Sequence, residues 1–256
     1  MAWYTPVDPP APLSSVLACV WTARPVGRHL LVPDACCDLL WLSTGSMWLC
    51  GPDTRAFSFE LAQGTEAVGV RFRPGYAGQV LGVDVAAIRD RRVEASPLEG
   101  NHGPHPTARL DALVSHVEVS VAAVGRLDHW PDIVLDLLAA HPRLSTADLA
   151  AAVGLSTRQV HRRALSHFGF GTSTLARILR FQRFAAHASL FGVQAPRTLA
   201  GLAHRAGFAD QAHLGRECQQ IAGMTPSRFV SESFATFPDM SDPYKTAAPL
   251  VDTLAR

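Results

Sequence analysis

Lysine is nearly missing. The 256 residues hold one, Lys245, among 23 lysines and arginines. Genomic base composition produces such a bias unaided, so no function is drawn from it. Charge of either sign is scarce, at 18% of residues against 48% hydrophobic ones. That balance excludes a solvated, disordered chain and leaves ample material for packed cores. No apolar run approaches the roughly 18 residues of a membrane-spanning helix, so no membrane partner is expected. The opening MAWYTPVDPP lacks a basic stretch followed by an apolar one, so no secretory leader is expected. The five cysteines, Cys19, Cys36, Cys37, Cys50 and Cys218, are odd in number and form no CxxC pair. Free thiols in a reducing, cytoplasmic setting are the expectation. The sequence also lacks a Gly-rich phosphate loop, paired acids, a nucleophile elbow and any His-x-His pair. No catalytic residue, metal or cofactor is therefore expected.

What is present is unevenly spread. Residues 1–125 carry nine arginines against twelve acidic side chains; residues 126–235 carry twelve arginines against seven acidic ones, with seven histidines. A basic second half is what a nucleic-acid surface requires, and also what a solvated arginine-rich surface looks like. The length allows one large domain or two ordinary ones.

Residues 1–12 are proline-rich and read as an extended arm. From Val16 to Arg73, short apolar runs alternate with turn residues: VLACVWTA, HLLVP, CDLLWLSTG, SMWLCGPD, RAFSFELAQG, AVGVRFRPG. Turns fall at Pro33-Asp34, Thr44-Gly45, Gly51-Pro52-Asp53, Gln63-Gly64 and Pro74-Gly75. Such spacing predicts a small barrel or sandwich. Trp41 and Trp48 flank the Thr44-Gly45 turn and can pair across a hairpin. Arg71 and Arg73 share a strand face and flank Phe72. If this domain has a ligand pocket, Trp41, Trp48, Arg71 and Arg73 are its candidates, suited to an anionic or aromatic effector. Short helices are predicted over 76–81 and 85–91, and a loop over 101–106. An amphipathic helix is predicted over 107–124, with Leu110, Leu113, Val114, Val117, Val121 and Val124 on one side. It can pack on its own domain or serve a homodimer, and the pattern allows both.

A metal site is weighed and set aside. His102 and His105 have a chelating spacing but sit in a loop that reads as solvated. Cys36 and Cys37 with Cys50 suit a soft metal, yet adjacent strand residues point to opposite faces, which favours core thiols.

The boundary falls at 124–128. Beyond it the pattern is helical, over 131–140, 145–153, 157–167, 172–190, 198–206, 210–221 and 226–233; the stretch from residue 236 reads as a loose tail. Two helix–turn–helix patterns stand out. In LSTADLAAAVGLSTRQVHRRALSHFG, Ser145 and Asp148 make a capping-box-like start, and Gly154-Leu155-Ser156 turns into a polar helix with Thr157, Arg158, Gln159, His161, Arg162 and Arg163. In TLAGLAHRAGFADQAHLGRECQQIAGMTPSR, Gly207 suits a C-cap and Asp210 an N-cap, and the second helix carries Gln211, His213, Arg216 and Gln219. The helix between them, about 19 residues, spans on the order of 28 Å. That permits two recognition helices near the roughly 34 Å between successive major-groove faces.

The segment Asp132–Ser233 resembles the DNA-binding domain of AraC-family transcriptional regulators. The resemblance is carried by LAHRAGFADQAHLGRECQQIAGMTPSRF and by the linker LARILRFQRFAAHASL. Leu214, Cys218 and Ala164 stand where that family usually has phenylalanine, which implies a re-packed interior. The small Ala212 and Gly215 imply a weaker second reader. The resemblance implies that Arg158, His161 and Arg162 in the first unit, and Gln211, His213 and Arg216 in the second, read bases. Thr157, Ser227 and Arg228 are assigned to phosphates. The front resembles the cupin-like sensor domains of such regulators, through LLVPDACCDLLW, WLCGPDTR and GVRFRPGYAGQVLG. This implies a small effector, dimerisation or both, and RNA polymerase as a partner if the protein activates.

The expected architecture is thus α+β in two domains. A β-rich cupin-like barrel with flanking helices occupies 1–125, an all-α bipartite helix-turn-helix domain 126–235, and a tail 236–256. The expected function is sequence-specific binding of double-stranded DNA in transcription regulation. The alternative is a cupin-type enzyme or metal-binding protein with a helical appendage.

Overall fold

The computed structural model describes residues 3–98, 105–189 and 198–236. The front half contains β1 (Tyr4–Val7), β2 (Leu17–Ala23), β3 (Arg28–Leu31), β4 (Cys37–Leu42), β5 (Met47–Cys50), β6 (Phe57–Glu60), β7 (Ala67–Phe72), α1 (Ala77–Leu81), β8 (Arg92–Ala95) and α2 (Pro106–Val124). The second half contains α3 (Trp130–Ala140), α4 (Thr146–Ala152), α5 (Thr157–Phe168), α6 (Thr172–Ser189), α7 (Leu199–Ala206), α8 (Gln211–Ala222) and α9 (Pro226–Thr236). The two-domain α+β architecture is as expected from the sequence. His102 and residues 237–256 of the expected tail lie outside the described residues.

The strands form two antiparallel sheets. One has six strands in the order β1-β2-β7-β4-β5-β8, and β3 pairs with β6 in the other. Alternation along each strand gives the large sheet two different faces. Cys37, Leu39 and Trp41 of β4 join Val20, Val68, Val70, Phe72, Met47 and Leu49 on one face. Tyr76, Val80 of α1 and Leu113, Val117 of α2 close over it. Each such fully buried side chain contributes about 1.5–3 kcal/mol. The amphipathic helix therefore packs on its own domain. The opposite face gathers Cys19, Trp21, Ala23 and Ala67 with Trp3, Tyr4, Leu40 and Leu42.

One local expectation changes and two details are added. Residues 4–7 of the expected extended arm lie on the domain as an edge strand: Tyr4 to Val7 pair with Ala23 to Val20. Pro6 is tolerated there because an edge strand leaves one row of N–H groups unused. Residues 92–95 form the other edge, β8, too short and charged to read as a strand. Residues 85–90 are turns, not a helix; the Asp90 carboxylate there accepts the Thr54 N–H at 2.6 Å and pins the loop after β5.

The helical half is built on α6. Its first turns give Leu175, Ala176, Ile178 and Leu179 to a core shared with α3, α4 and α5. Its later turns give Phe181, Phe184, Ala185 and Ala188 to a second core shared with α7, α8 and α9. One helix thus carries both helix–turn–helix units. The loop after β3 reaches into both cores: Ala35 is buried in the first and Val32 packs on the second. Between them the Gln182 amide donates to the Pro33 carbonyl at 2.5 Å.

The seam between the halves continues at α1. Arg73 pairs with Asp132 at 3.2 Å, and the Tyr76 hydroxyl donates a short bond to the same carboxylate. Arg89 donates to the Gly169 carbonyl at 3.1 Å. Asp128 receives Arg163 at 2.5 Å and His167 at 3.1 Å. Burial alone raises the Asp128 carboxyl, but the Trp130 N–H, Arg163 and His167 outweigh it and hold the group below its usual range. Its stabilising effect is therefore full above the unfolded-state pKa and disappears as pH falls through the lower folded-state value. Asp128→Asn is expected to lower stability at neutral pH, with wild-type and variant urea midpoints converging in strong acid. Parallel pH profiles would remove this assignment.

Candidate nucleic-acid interface

In the first unit the turn into α5 is set by side-chain capping. The Ser156 hydroxyl accepts the Gln159 N–H at 3.3 Å, and the Gln159 side chain accepts the Ser156 N–H at 2.8 Å. This is a complete capping box, and it removes Gln159 from the set of readers. Ahead of α4, Ser145 accepts the Asp148 N–H at 3.1 Å. The Asp148 carboxylate takes the Ser145 hydroxyl at 2.7 Å; aspartate is one methylene shorter than the usual glutamate of this motif.

Along α5, Val160, Ala164 and Phe168 are buried. Thr157, Arg158, His161 and Arg162 are all exposed, and the last three recur at helical spacing on one face. Arg163 belongs elsewhere. It is half-buried, bonded to Asp128, with its guanidinium 4.9 Å from the Trp130 ring.

The second unit repeats the plan. Thr198 caps α7, and Gly207 ends it in the left-handed region at φ +89. Asp210 caps α8 by accepting the His213 N–H at 2.6 Å. Leu214, Cys218 and Ile221 face inward, so the two positions expected to differ from the family are core positions here. Gln211, Arg216 and Gln219 are exposed.

His213 departs from its expected place. It is half-buried and edge-on to Phe208, and its Nδ1 accepts the Ala209 N–H at 3.3 Å. Its Nε2 lies 3.7 Å from Glu217. The ring is held within the turn rather than presented to a groove. Glu217 and Gln220 are bonded in turn to Arg177 of α6, at 2.7 and 2.6 Å.

A groove of about 580 Å³ runs between α8 and the start of α9, lined by Ala212, Gly215, Arg216, Gln219, Gln220, Thr225 and Pro226. Thr225 accepts the Arg228 N–H at 3.3 Å as the cap of α9. Ser227 and Arg228 are exposed beside that helix start, and Arg228 also pairs with Glu232 at 2.6 Å. A helix N-terminus flanked by arginines attracts anionic oxygens. The small Ala212 and Gly215 open the groove rather than fill it.

The four candidates for a ligand pocket do not converge. Trp41 pairs with Met47 and Trp48 with Leu40, so the two indoles lie on opposite faces of the sheet. Trp41 is in the core beneath the Arg109 guanidinium, 5.0 Å away. Arg71 is bound by Asp34 and Asp38, both at 2.9 Å, with the Trp21 N–H also on Asp38 at 2.9 Å. Arg73 lies beyond the strand end and turns to Asp132. The period-two reading fails because β7 stops at Phe72.

The cysteines are free, and Cys19, Cys36, Cys37 and Cys218 are buried. Burial pushes the Cys19 thiol up to about 11 and the Cys50 and Cys218 thiols up to about 12, which disfavours the thiolate needed for metal or redox chemistry. Among the described residues no group of three metal-ligating side chains occurs. None of the helices described is long and apolar enough to cross a membrane.

Two helix–turn–helix units on one shared helix define a DNA-binding protein. Residues 149–232 match a family described as a helix-turn-helix domain, and residues 5–94 match a domain of unknown function, DUF6597. No curated protein matches the chain. Among solved structures it is similar to an apo variant of ToxT from Vibrio cholerae strain SCE256, at 10% identity over 83% of this chain and 96% of that one, with a TM-score of 0.47. A second ToxT structure gives 10% identity, 90% and 98% coverage, and a TM-score of 0.46. A third, bound to an unsaturated fatty acid, gives 11%, 84% and 94%, and 0.44. The chain thus carries a DNA-binding helix-turn-helix domain at residues 149–232 behind a DUF6597 domain at residues 5–94.

Proposed function

We propose that the protein reads a two-part DNA site with Arg158, His161 and Arg162 in one major groove and Gln211, Arg216 and Gln219 in the next. Thr157, Ser227 and Arg228 hold phosphates. The observation that carries this reading is that α5 and α8 are capped, exposed on one polar side, and buried on the other against the same helix, α6. The first unit reads more strongly, because α5 offers two exposed arginines and α8 offers Arg216 beside Ala212 and Gly215. Arginine to guanine is the commonest specific contact.

In this reading the front domain is the sensing side for a small-molecule effector. Its signal passes through the seam, where Arg73 and Tyr76 touch Asp132 of α3 and Gly75 faces His167 of α5. The Arg71 cluster is internal structure and takes no part in holding the effector.

Selection from randomised DNA, followed by salt titration of the winning site, tests the proposal. A two-part site is expected, with log K falling by about 0.9 per phosphate contact for each tenfold rise in salt. Arg228→Ala is expected to lower that slope by about one and leave base preference unchanged. Recovery of no specific sequence, together with stoichiometric bound metal, would instead support a metal-binding cupin.

A further inference from the structure

We propose that Arg143 is a positioning residue that fixes α8 relative to α5, and so sets the separation of half-sites the protein accepts. The proposal rests on the two-groove reading above. Arg143 lies between α3 and α4, on the first unit's side, where its neighbour Leu144 packs on the first core. Its guanidinium crosses to the second unit. Nε donates to the Gly207 carbonyl at 3.3 Å and Nη2 to the Phe208 carbonyl at 2.7 Å. Those are successive carbonyls of the turn between α7 and α8, and α8 begins three residues later.

The contact is close on both sides. A Cβ on Gly207 would lie 2.5 Å from the Pro142 Cβ, so only glycine admits the first unit's connection at this point. Arg180 of α6 backs it, donating to the Pro142 carbonyl at 2.9 Å with its guanidinium 5.9 Å from the Phe208 ring. The first unit's connection, the linker helix and the second unit's turn therefore meet at one place. Along the chain, α5 and α8 are joined only through α6, residues 190–197 and α7. Arg143 adds a direct tie that bypasses that route.

The chemistry of the tie is directional. A planar guanidinium bridges two carbonyls, whereas an ammonium is a point donor that holds one geometry poorly. Movement of the turn carbonyls moves the start of α8 with them. On DNA, one inserted base pair shifts the second half-site by about 3.4 Å and turns it by roughly 35°. Discrimination against such a change requires the two recognition helices to be rigidly related, and Arg143 supplies part of that rigidity.

The test is a series of sites in which the two selected half-sites are separated by the preferred spacing and by one or two base pairs more or fewer. Wild-type protein is expected to prefer one spacing sharply. Arg143→Ala is expected to lose about tenfold at that spacing while keeping its affinity at the others, which flattens the profile. Arg143→Lys is expected to resemble Arg143→Ala. An equal loss at every spacing would make Arg143 a phosphate contact or a general fold element, and an unchanged profile would make it idle; either result overturns the proposal.

A second measurement needs no DNA. Spin labels on keto-bearing noncanonical residues at the exposed positions 158 and 219 report the separation of α5 from α8. The distance distribution is expected to be narrow in the parent and broader in Arg143→Ala; equal widths reject the proposal. If the wild type selects no two-part site, the two-groove reading fails, and the label distances still decide the clamp.

Discussion

Arg162→Ala relaxes base selection in one half of the bound site, and Arg216→Ala relaxes it in the other. Both side chains are exposed on the polar sides of capped helices that bury their opposite sides in separate cores. An arginine bidentate to guanine contributes about 1–3 kcal/mol of discrimination, roughly 5- to 150-fold between bases at that position. The loss is expected to be larger for Arg162, whose neighbours Arg158 and His161 are exposed on the same face of α5. Arg163→Ala is the control from the same helix. Because Arg163 is engaged with Asp128 and Trp130, its loss is expected to lower stability and leave the selected sequence intact. Selection from randomised DNA by each variant reads all three outcomes. Identical effects of Arg162→Ala and Arg216→Ala at every position would contradict a reader divided between two grooves.

Arg71→Met lowers the stability of the front domain by roughly 3–5 kcal/mol, the range for removing one partner of a buried ion pair. The side chains of Arg71, Asp34 and Asp38 are 12%, 19% and 14% exposed, so the result is expected at the lower end. The loss arises from what remains. Burial already raises the Asp34 carboxyl above its usual range, with Arg71 opposing that rise. Without the arginine, two carboxylates face each other in a poorly solvated space. Asp38→Ala is expected to be similarly harmful, since it also strips the Trp21 N–H of its acceptor. The triple variant Arg71→Met, Asp34→Asn, Asp38→Leu is expected to recover part of the loss, because no uncompensated charge then remains although the Trp21 N–H still lacks its acceptor. Urea unfolding followed through tryptophan fluorescence measures each case. A triple variant as unstable as the singles would show that the cluster's hydrogen-bond geometry, rather than charge compensation, stabilises the domain.

Much of the helical half was legible because its signals are local. Apolar spacing, Ser156 and Asp210 as caps, and Gly207 as a stop each act within a few residues, and each is found in that role. The shared use of α6 was legible as a long helix between two similar units. What escaped were contacts set by tertiary position. Arg163 and Arg162 are adjacent arginines on one helix, and only the approach of Asp128 separates their roles. His213 reads as an exposed polar residue until the Ala209 N–H is found on its ring. In the front domain the strands of the large sheet's centre were visible as apolar runs, while β1 and β8, at its edges, were not. Edge strands bury too little to need a pattern. The error over Arg71 and Arg73 has the same source: periodicity relates side chains along a strand and is silent on where the strand ends.

The seam between the halves is lined by glycine on both sides. A Cβ on Gly75 would lie 2.6 Å from the Pro131 side chain, and one on Gly169 would lie 2.8 Å from the Val85 carbonyl. Fit at this distance depends on matched surfaces from both halves at once. A front domain grafted from another regulator would have to present the same hollow to Pro131 and Phe168, and a foreign reader the same hollow to Val85. The halves are thus not interchangeable parts: in chimeric regulators the unit that can be transplanted is the reader together with the loop and helix that face it.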